Sequence, residues 1–130
     1  MSSNLKKFDD ILKDLLRANF EINAAAIISA EGLPIAFALP NNVDETKFSA
    51  MTATLLSLSE TAIVEMKKGI FNQLFIKGSD GYLIVMQAGT NAVLTISTTI
   101  YVKLGLVLLD CKYAIKDIKN IFLHDKDKNK

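Results

Sequence analysis

Phe48-Ser49-Ala50-Met51-Thr52-Ala53-Thr54-Leu55-Leu56-Ser57-Leu58-Ser59 is a helix-forming stretch without one charged residue. Asp44 just upstream is a suitable N-cap and Gly69 a suitable stop, so the spacing predicts a long helix ending near Lys68. Phe48, Met51, Leu55, Leu58, Ala62 and Met66 share one stripe, expected to lie on a sheet. The other side offers Ala50, Ala53, Thr54, Ser57 and Thr61. A surface helix ordinarily keeps a charged outer face, whereas small uncharged residues let a second helix approach closely. A helix buried on all sides is hard to house in a chain of 130 residues. Self-association through the small-residue face is therefore expected.

Upstream of this helix, Leu5, Phe8, Ile11, Leu12, Leu15 and Leu16 recur at helical spacing, with Lys6, Asp9, Asp10, Lys13, Asp14 and Arg17 on the other face and Ser3 or Asn4 as cap. Ile22 to Ser29 and Leu33 to Leu39 read as two strands joined by a hairpin turn at Ala30-Glu31-Gly32. Pro34 cannot donate to a ladder and favours an edge position for the second. Downstream, Ile70 to Lys77, Tyr82 to Ala88 and Ala92 to Thr98 are separated by Gly78-Ser79-Asp80-Gly81 and Gly89-Thr90-Asn91, short turns that favour a meander. Asn72-Gln73-Leu74-Phe75-Ile76 is uncharged, and an exposed edge there invites pairing with another chain. From Tyr101 a last helix aligns Tyr101, Leu104, Leu108, Cys111, Ile115, Ile118 and Phe122 as a core stripe, with Gly105 expected to permit close packing. The order is helix, two strands, helix, three strands, helix: an α/β domain over 1–124, followed by a charged tail, 125–130, expected to be disordered.

Composition narrows the chemistry. Apolar residues counted with Gly and without Tyr make up about 52% of the chain, slightly above the ~45–50% usual for soluble domains, which points to surface covered by a partner. With 15 Lys and Arg against 14 Asp and Glu, the charge surplus that nucleic-acid binders use against phosphates is missing, so no nucleic-acid partner is expected. The apolar run Leu104 to Leu109 falls far short of the ~20 residues that cross a bilayer, and no membrane insertion is expected. No signal-peptide pattern is readable, and a single cysteine, Cys111, suits a reducing cytoplasm.

Catalytic patterns are missing too. The one histidine, His124, sits beside the charged tail, while Cys111 lies on an apolar stripe. No CxxC, HxxxH or calcium-loop spacing occurs, and Gly78 to Gly81 lacks the Lys-Ser/Thr of a phosphate cradle. No catalytic residue, metal or cofactor is expected. Arg17 is the one arginine; as an arginine finger for nucleotide hydrolysis it would be the sole candidate, but its charged helix face argues for a surface role.

Several segments together resemble the Roadblock family of dynein light chains, scaffold subunits and small-GTPase regulators. The likeness is carried by Ala26-Ile27-Ile28-Ser29 through Glu31-Gly32-Leu33-Pro34-Ile35-Ala36, by the uncharged helix with Leu55-Leu56-Ser57-Leu58-Ser59-Glu60, by Asp80-Gly81-Tyr82-Leu83-Ile84-Val85-Met86, and by Leu104-Gly105-Leu106-Val107. The resemblance implies a five-stranded antiparallel sheet with the long middle helix on one face and the two terminal helices on the other. It also implies pairing, with itself or another Roadblock chain, through the middle helix and third strand. Here that interface is Ala50, Ala53, Thr54, Ser57 and Thr61 together with Asn72, Gln73, Leu74, Phe75 and Ile76. The pair would then serve as a platform that binds a small Ras-like GTPase and regulates its nucleotide cycle or localises it, without catalytic groups of its own; which residues touch the GTPase does not follow. Two other readings share this size and architecture. A profilin-like actin-binding module would need an aromatic platform, for which a chain without Trp offers only Tyr101, Tyr113, Phe8 and Phe122. A small-molecule sensor would need convergent polar groups among apolar walls, and none can be nominated.

Overall fold

Two runs made up, apart from Leu94, of small and β-branched residues, Ala24 to Ile28 and Ala92 to Ile96, pair antiparallel and are buried throughout. They form the middle of the fold. The computed structural model describes residues 2–128, which form α1 (Ser2–Ala18), β1 (Ile22–Ser29), β2 (Pro34–Ala38), α2 (Glu45–Glu65), β3 (Gln73–Gly78), β4 (Gly81–Gln87), β5 (Ala92–Thr99) and α3 (Leu104–Lys128). The sheet is antiparallel with order β2-β1-β5-β4-β3. Alternation along its strands sends Ala25, Ile27, Ile84, Leu94 and Ile96 to one side, where α1 and α3 cover them with Leu12, Leu15, Cys111 and Ile118. Ala26, Ile28, Val85 and Val93 point to the other side, under Phe48 and Leu56 of α2. This is the layering that the resemblance implied, with Pro34 opening edge strand β2.

Local chemistry accounts for the element ends. Asp44 caps α2 by accepting from the Lys47 amide at 3.0 Å. The helix ends at Glu65, short of the expected Lys68, because Lys67 takes a left-handed conformation at φ 55°. The Lys68 amide then donates to the Ile63 carbonyl at 2.8 Å and the Lys67 amide to Val64 at 3.1 Å, a Schellman closure built without glycine at its left-handed position. α1 begins at Ser2, ahead of both expected caps. α3 starts at Leu104, which leaves Tyr101 in the preceding turn and exposed, off the core stripe on which the spacing placed it. At its other end α3 continues through Lys128 across part of the tail expected to be disordered; Asn129 and Lys130 lie outside the described residues.

The largest correction concerns the phase of α2. Its buried residues are Phe48, Ser49, Thr52 and Leu56, whereas Met51, Leu58, Ala62 and Met66 of the expected sheet-facing stripe are exposed. The β1–β2 turn sets this phase. Gly32, at φ +88°, lies under α2 so closely that a Cβ built on it would stand 2.9 Å from the Ala53 Cβ. The sheet-facing side that results is partly polar. Thr95 of β5 pairs in register with Ala26 and Val85, so it faces α2. Its hydroxyl and those of Ser49 and Thr52 are buried with no hydrogen-bond partner among the described residues. Gly105, by contrast, meets nothing within 4 Å and makes none of the close packing expected of it.

Two expectations follow for thermal or denaturant unfolding. Thr95→Val removes an unpartnered buried hydroxyl at nearly constant shape and should stabilise the chain by about 1 kcal/mol. The two glycines should respond with opposite sign: Gly32→Ala should destabilise by about 1–3 kcal/mol through its left-handed backbone and the Ala53 collision, and Gly105→Ala should stabilise by up to about 1 kcal/mol.

Candidate interaction surface

Because Phe48, Thr52 and Leu56 turn inward, the side of α2 facing away from the sheet carries Ala50, Thr54, Ser57 and Thr61, all exposed. These are four of the five helix positions assigned to an interface from sequence. The fifth, Ala53, is half-buried against Gly32 and belongs partly to packing within the chain. The face is more apolar than expected, since Leu58 and Val64 are exposed to 65% and 68%. Its threonines add little polarity. The Thr54 hydroxyl donates to the Ala50 carbonyl at 2.9 Å and the Thr61 hydroxyl to the Ser57 carbonyl at 3.0 Å, so the donors are satisfied inside the helix.

The second half of the expected interface is the sheet edge. β3 pairs with β4 alone, which leaves its other side without a neighbouring strand among the described residues. Leu74 tucks into the cluster beneath α2. Gln73, Phe75 and Ile76 are exposed, while Asn72 lies just before the strand and accepts from the Gln87 amide at 3.0 Å. Register places Phe75 beside Ile84 on the α1/α3 side and Ile76 beside Leu83 on the α2 side. An uncharged edge with an apolar residue on each face is therefore open next to an uncharged helix face. Both features suit burial against another chain.

Reactive chemistry is sparse. The Cys111 thiol is pushed up to about 12, first by burial and then by the charge of Asp110, so it stays protonated at neutral pH and is a poor nucleophile. Arg17 is exposed on α1 and held by Asp14 at 3.2 Å. No group of three His, Cys, Asp or Glu side chains among the described residues is placed to hold a metal ion. No helix among them is long and apolar enough to cross a membrane.

Sequence reasoning missed the exposure of Leu58, Val64 and Met66. In a helix with apolar residues on several sides, spacing alone leaves the phase open. It also assigned no contact role to Leu106 and Leu109 on the outer side of α3, and used Tyr113, exposed beside them, only in the profilin-like reading.

The geometry has close counterparts. Myxococcus xanthus MglB superposes with a TM-score of 0.86 at 21% identity, over 92% of this chain and 90% of that one. MglB from Thermus thermophilus gives 0.79 at 19% identity, over 91% and 90%, and an MglB structure with a tetrameric arrangement gives 0.83 at 20%, over 91% and 89%. At these identities the likeness is one of fold. In sequence, an uncharacterized protein of Methanocaldococcus jannaschii is 31% identical over 101 residues, covering 78% of this chain and 88% of that protein. A second from the same organism is 30% identical over 114 residues, covering 88% and 95%. The family model for the Roadblock/LC7 domain matches residues 7–98. With that match and a fold shared over nine-tenths of its length, the chain belongs to the Roadblock/LC7 domain family.

Proposed function

We propose that the protein is a non-catalytic platform: two copies pair through the outer face of α2 and the free edge of β3, and the pair binds a small Ras-like GTPase in the cytoplasm. The observation that carries this reading is the helix face from Ala50 to Thr61. It is uncharged apart from Glu60, its two threonine hydroxyls are bonded internally, and Leu58 stands 65% exposed on it. Covering such a face releases water from apolar surface without stranding polar groups. The adjacent open edge of β3 allows the two sheets to join into one by backbone hydrogen bonds. The GTPase is what the Roadblock resemblance implies, and self-pairing is in keeping with a relative in fold, MglB, whose structure has a tetrameric arrangement.

The pair would contribute binding surface in place of reacting groups. Cys111 is buried and protonated, and Arg17 is engaged with Asp14 far from α2 in sequence. Any change in nucleotide turnover would then come from repositioning the GTPase's own residues, so Arg17→Ala should leave it unaltered.

Sedimentation velocity over a wide concentration range tests the pairing. The native chain should dimerise, and Leu58→Arg should raise the dimer dissociation constant at least about 100-fold by burying an unpaired charge. Ala53→Arg is a poorer probe because Ala53 also packs on Gly32. A native chain that is monomeric at all concentrations would replace the homodimer with pairing to a different Roadblock chain.

The GTPase assignment is tested separately, by binding of Ras-like GTPases from the same source in their GDP and GTP-analogue states. One state should bind at least about tenfold more tightly, a coupling of about 1.4 kcal/mol. If none binds in either state, the GTPase assignment fails and the pairing stands on its own result.

A further inference from the structure

The α1/α3 side of the sheet, opposite α2, carries a second uncovered surface of different chemistry. Leu106, Leu109 and Tyr113 are exposed on α3 at spacings of three and four. Beyond its start, Phe20 and Tyr101 are 95% and 82% exposed. Two hollows of about 200 Å³ each meet at Ala18 of α1, the first among the turns after α1 and before α3 and the second between the two helices, and together they are called the groove. The first is bounded by Phe20, Tyr101 and Leu106, the second by Tyr113 over the apolar floor of Ile11 and Leu15.

Charge distinguishes the two ends. Asp14, Asp110 and Asp117 line the second hollow, and no Lys, Arg or His does. Arg17 pairs with Asp14 at 3.2 Å, while Asp110 and Asp117 have no ion-pair partner among the described residues. Lys103 and Glu21 flank the aromatic end and offset one another. The groove is thus aromatic at one end and acidic along the other.

We propose that this groove seats an amphipathic helix of a partner protein. Its apolar side chains would enter the hollow between Phe20, Tyr101 and Leu106, and its Lys or Arg residues would face Asp110 and Asp117. The second hollow is walled by α1 and α3 alone, and the turns Asn19–Glu21 and Tyr101–Lys103 close the first at the ends of the same two helices, so neither presents a strand edge and the fitting occupant is a third helix laid between them. From Leu106 to Asp117 the groove floor extends about 17 Å, or three helical turns. A second copy of this chain fits poorly, because a two-fold contact would set these carboxylates against their own counterparts. An anionic membrane is disfavoured for the same reason. This inference is independent of pairing through α2 and of the GTPase.

The probe is a fluorescein-labelled 14-residue peptide of alternating Leu and Lys blocks that form one apolar and one basic helix face, followed by fluorescence anisotropy with the full chain. Saturable binding is expected for this peptide and none for its Leu/Glu counterpart. The double variant Asp110→Lys/Asp117→Lys should weaken binding at least about tenfold through reversed charge, and Tyr113→Ser should weaken it through the lost apolar wall. Asp80→Lys in the β3–β4 turn and Leu58→Arg on α2 should leave it unchanged. Absence of saturable binding, full affinity in the charge-reversed variant, or loss of binding in Leu58→Arg alone would each overturn the proposal, the last by moving the peptide to the α2 surface.

Discussion

The pairing of β1 with β5 constrains everything else. Both strands are buried on both faces from Ala24 to Ile28 and from Ala92 to Ile96, so the sheet cannot stand with one side wet and needs a helical layer on each. Three helices are available for two faces. α1 and α3 share one side and close it with the larger cluster around Leu12, Cys111 and Ile118. α2 covers the other side alone, using a narrow strip from Phe48 to Leu56. A single helix covering a sheet face has more than half its circumference left over, and in this chain that remainder is uncharged from Phe48 to Ser59.

Much of this arrangement could be read from residues. The Asp44 cap, the hairpin at Gly32, the Pro34 edge and the glycine-bounded turns between β3, β4 and β5 are local signals, and each depends on backbone chemistry that neighbouring residues determine. What could not be read depended on contacts distant in sequence. The phase of α2 is set by Gly32 passing under Ala53. Since Met51, Leu55 and Leu58 make as good a stripe as Phe48, Thr52 and Leu56, spacing had no means of choosing between them. Tyr101 failed differently: it continues the periodicity of α3 in sequence but precedes the helix in space. The groove between α1 and α3 was invisible because its carboxylates come from two helices far apart along the chain, each with an ordinary solvated face. No residue pattern pointed to GTPase contacts.

The side of the sheet under α2 is the less cohesive of the two layers. Buried hydroxyls on Ser49, Thr52 and Thr95 interrupt an apolar contact that is already small. By contrast the α1/α3 layer is larger, its buried polar side chains Asn19 and Thr98 are hydrogen-bonded, and the Phe8 and Phe122 rings stand 5.3 Å apart and brace the two helices against each other. The helix best exposed for contacts with other chains is thus also the one held least firmly by its own. Its covering by a partner would add cohesion where the isolated chain has least.

The uncharged stretch of α2 also has a consequence for rates. A surface without charge exerts no long-range pull, so a partner approaching it is not steered and associates at about 10⁵–10⁶ M⁻¹s⁻¹ whatever the ionic strength. The lifetime of a complex formed there is then governed by how quickly its dried apolar contacts come apart, and regulation of such a complex acts on departure in place of arrival. The acidic groove on the other side of the same sheet works in the opposite regime, with capture that quickens as salt is removed. One small chain therefore offers two surfaces whose association kinetics respond independently to the ionic conditions around it.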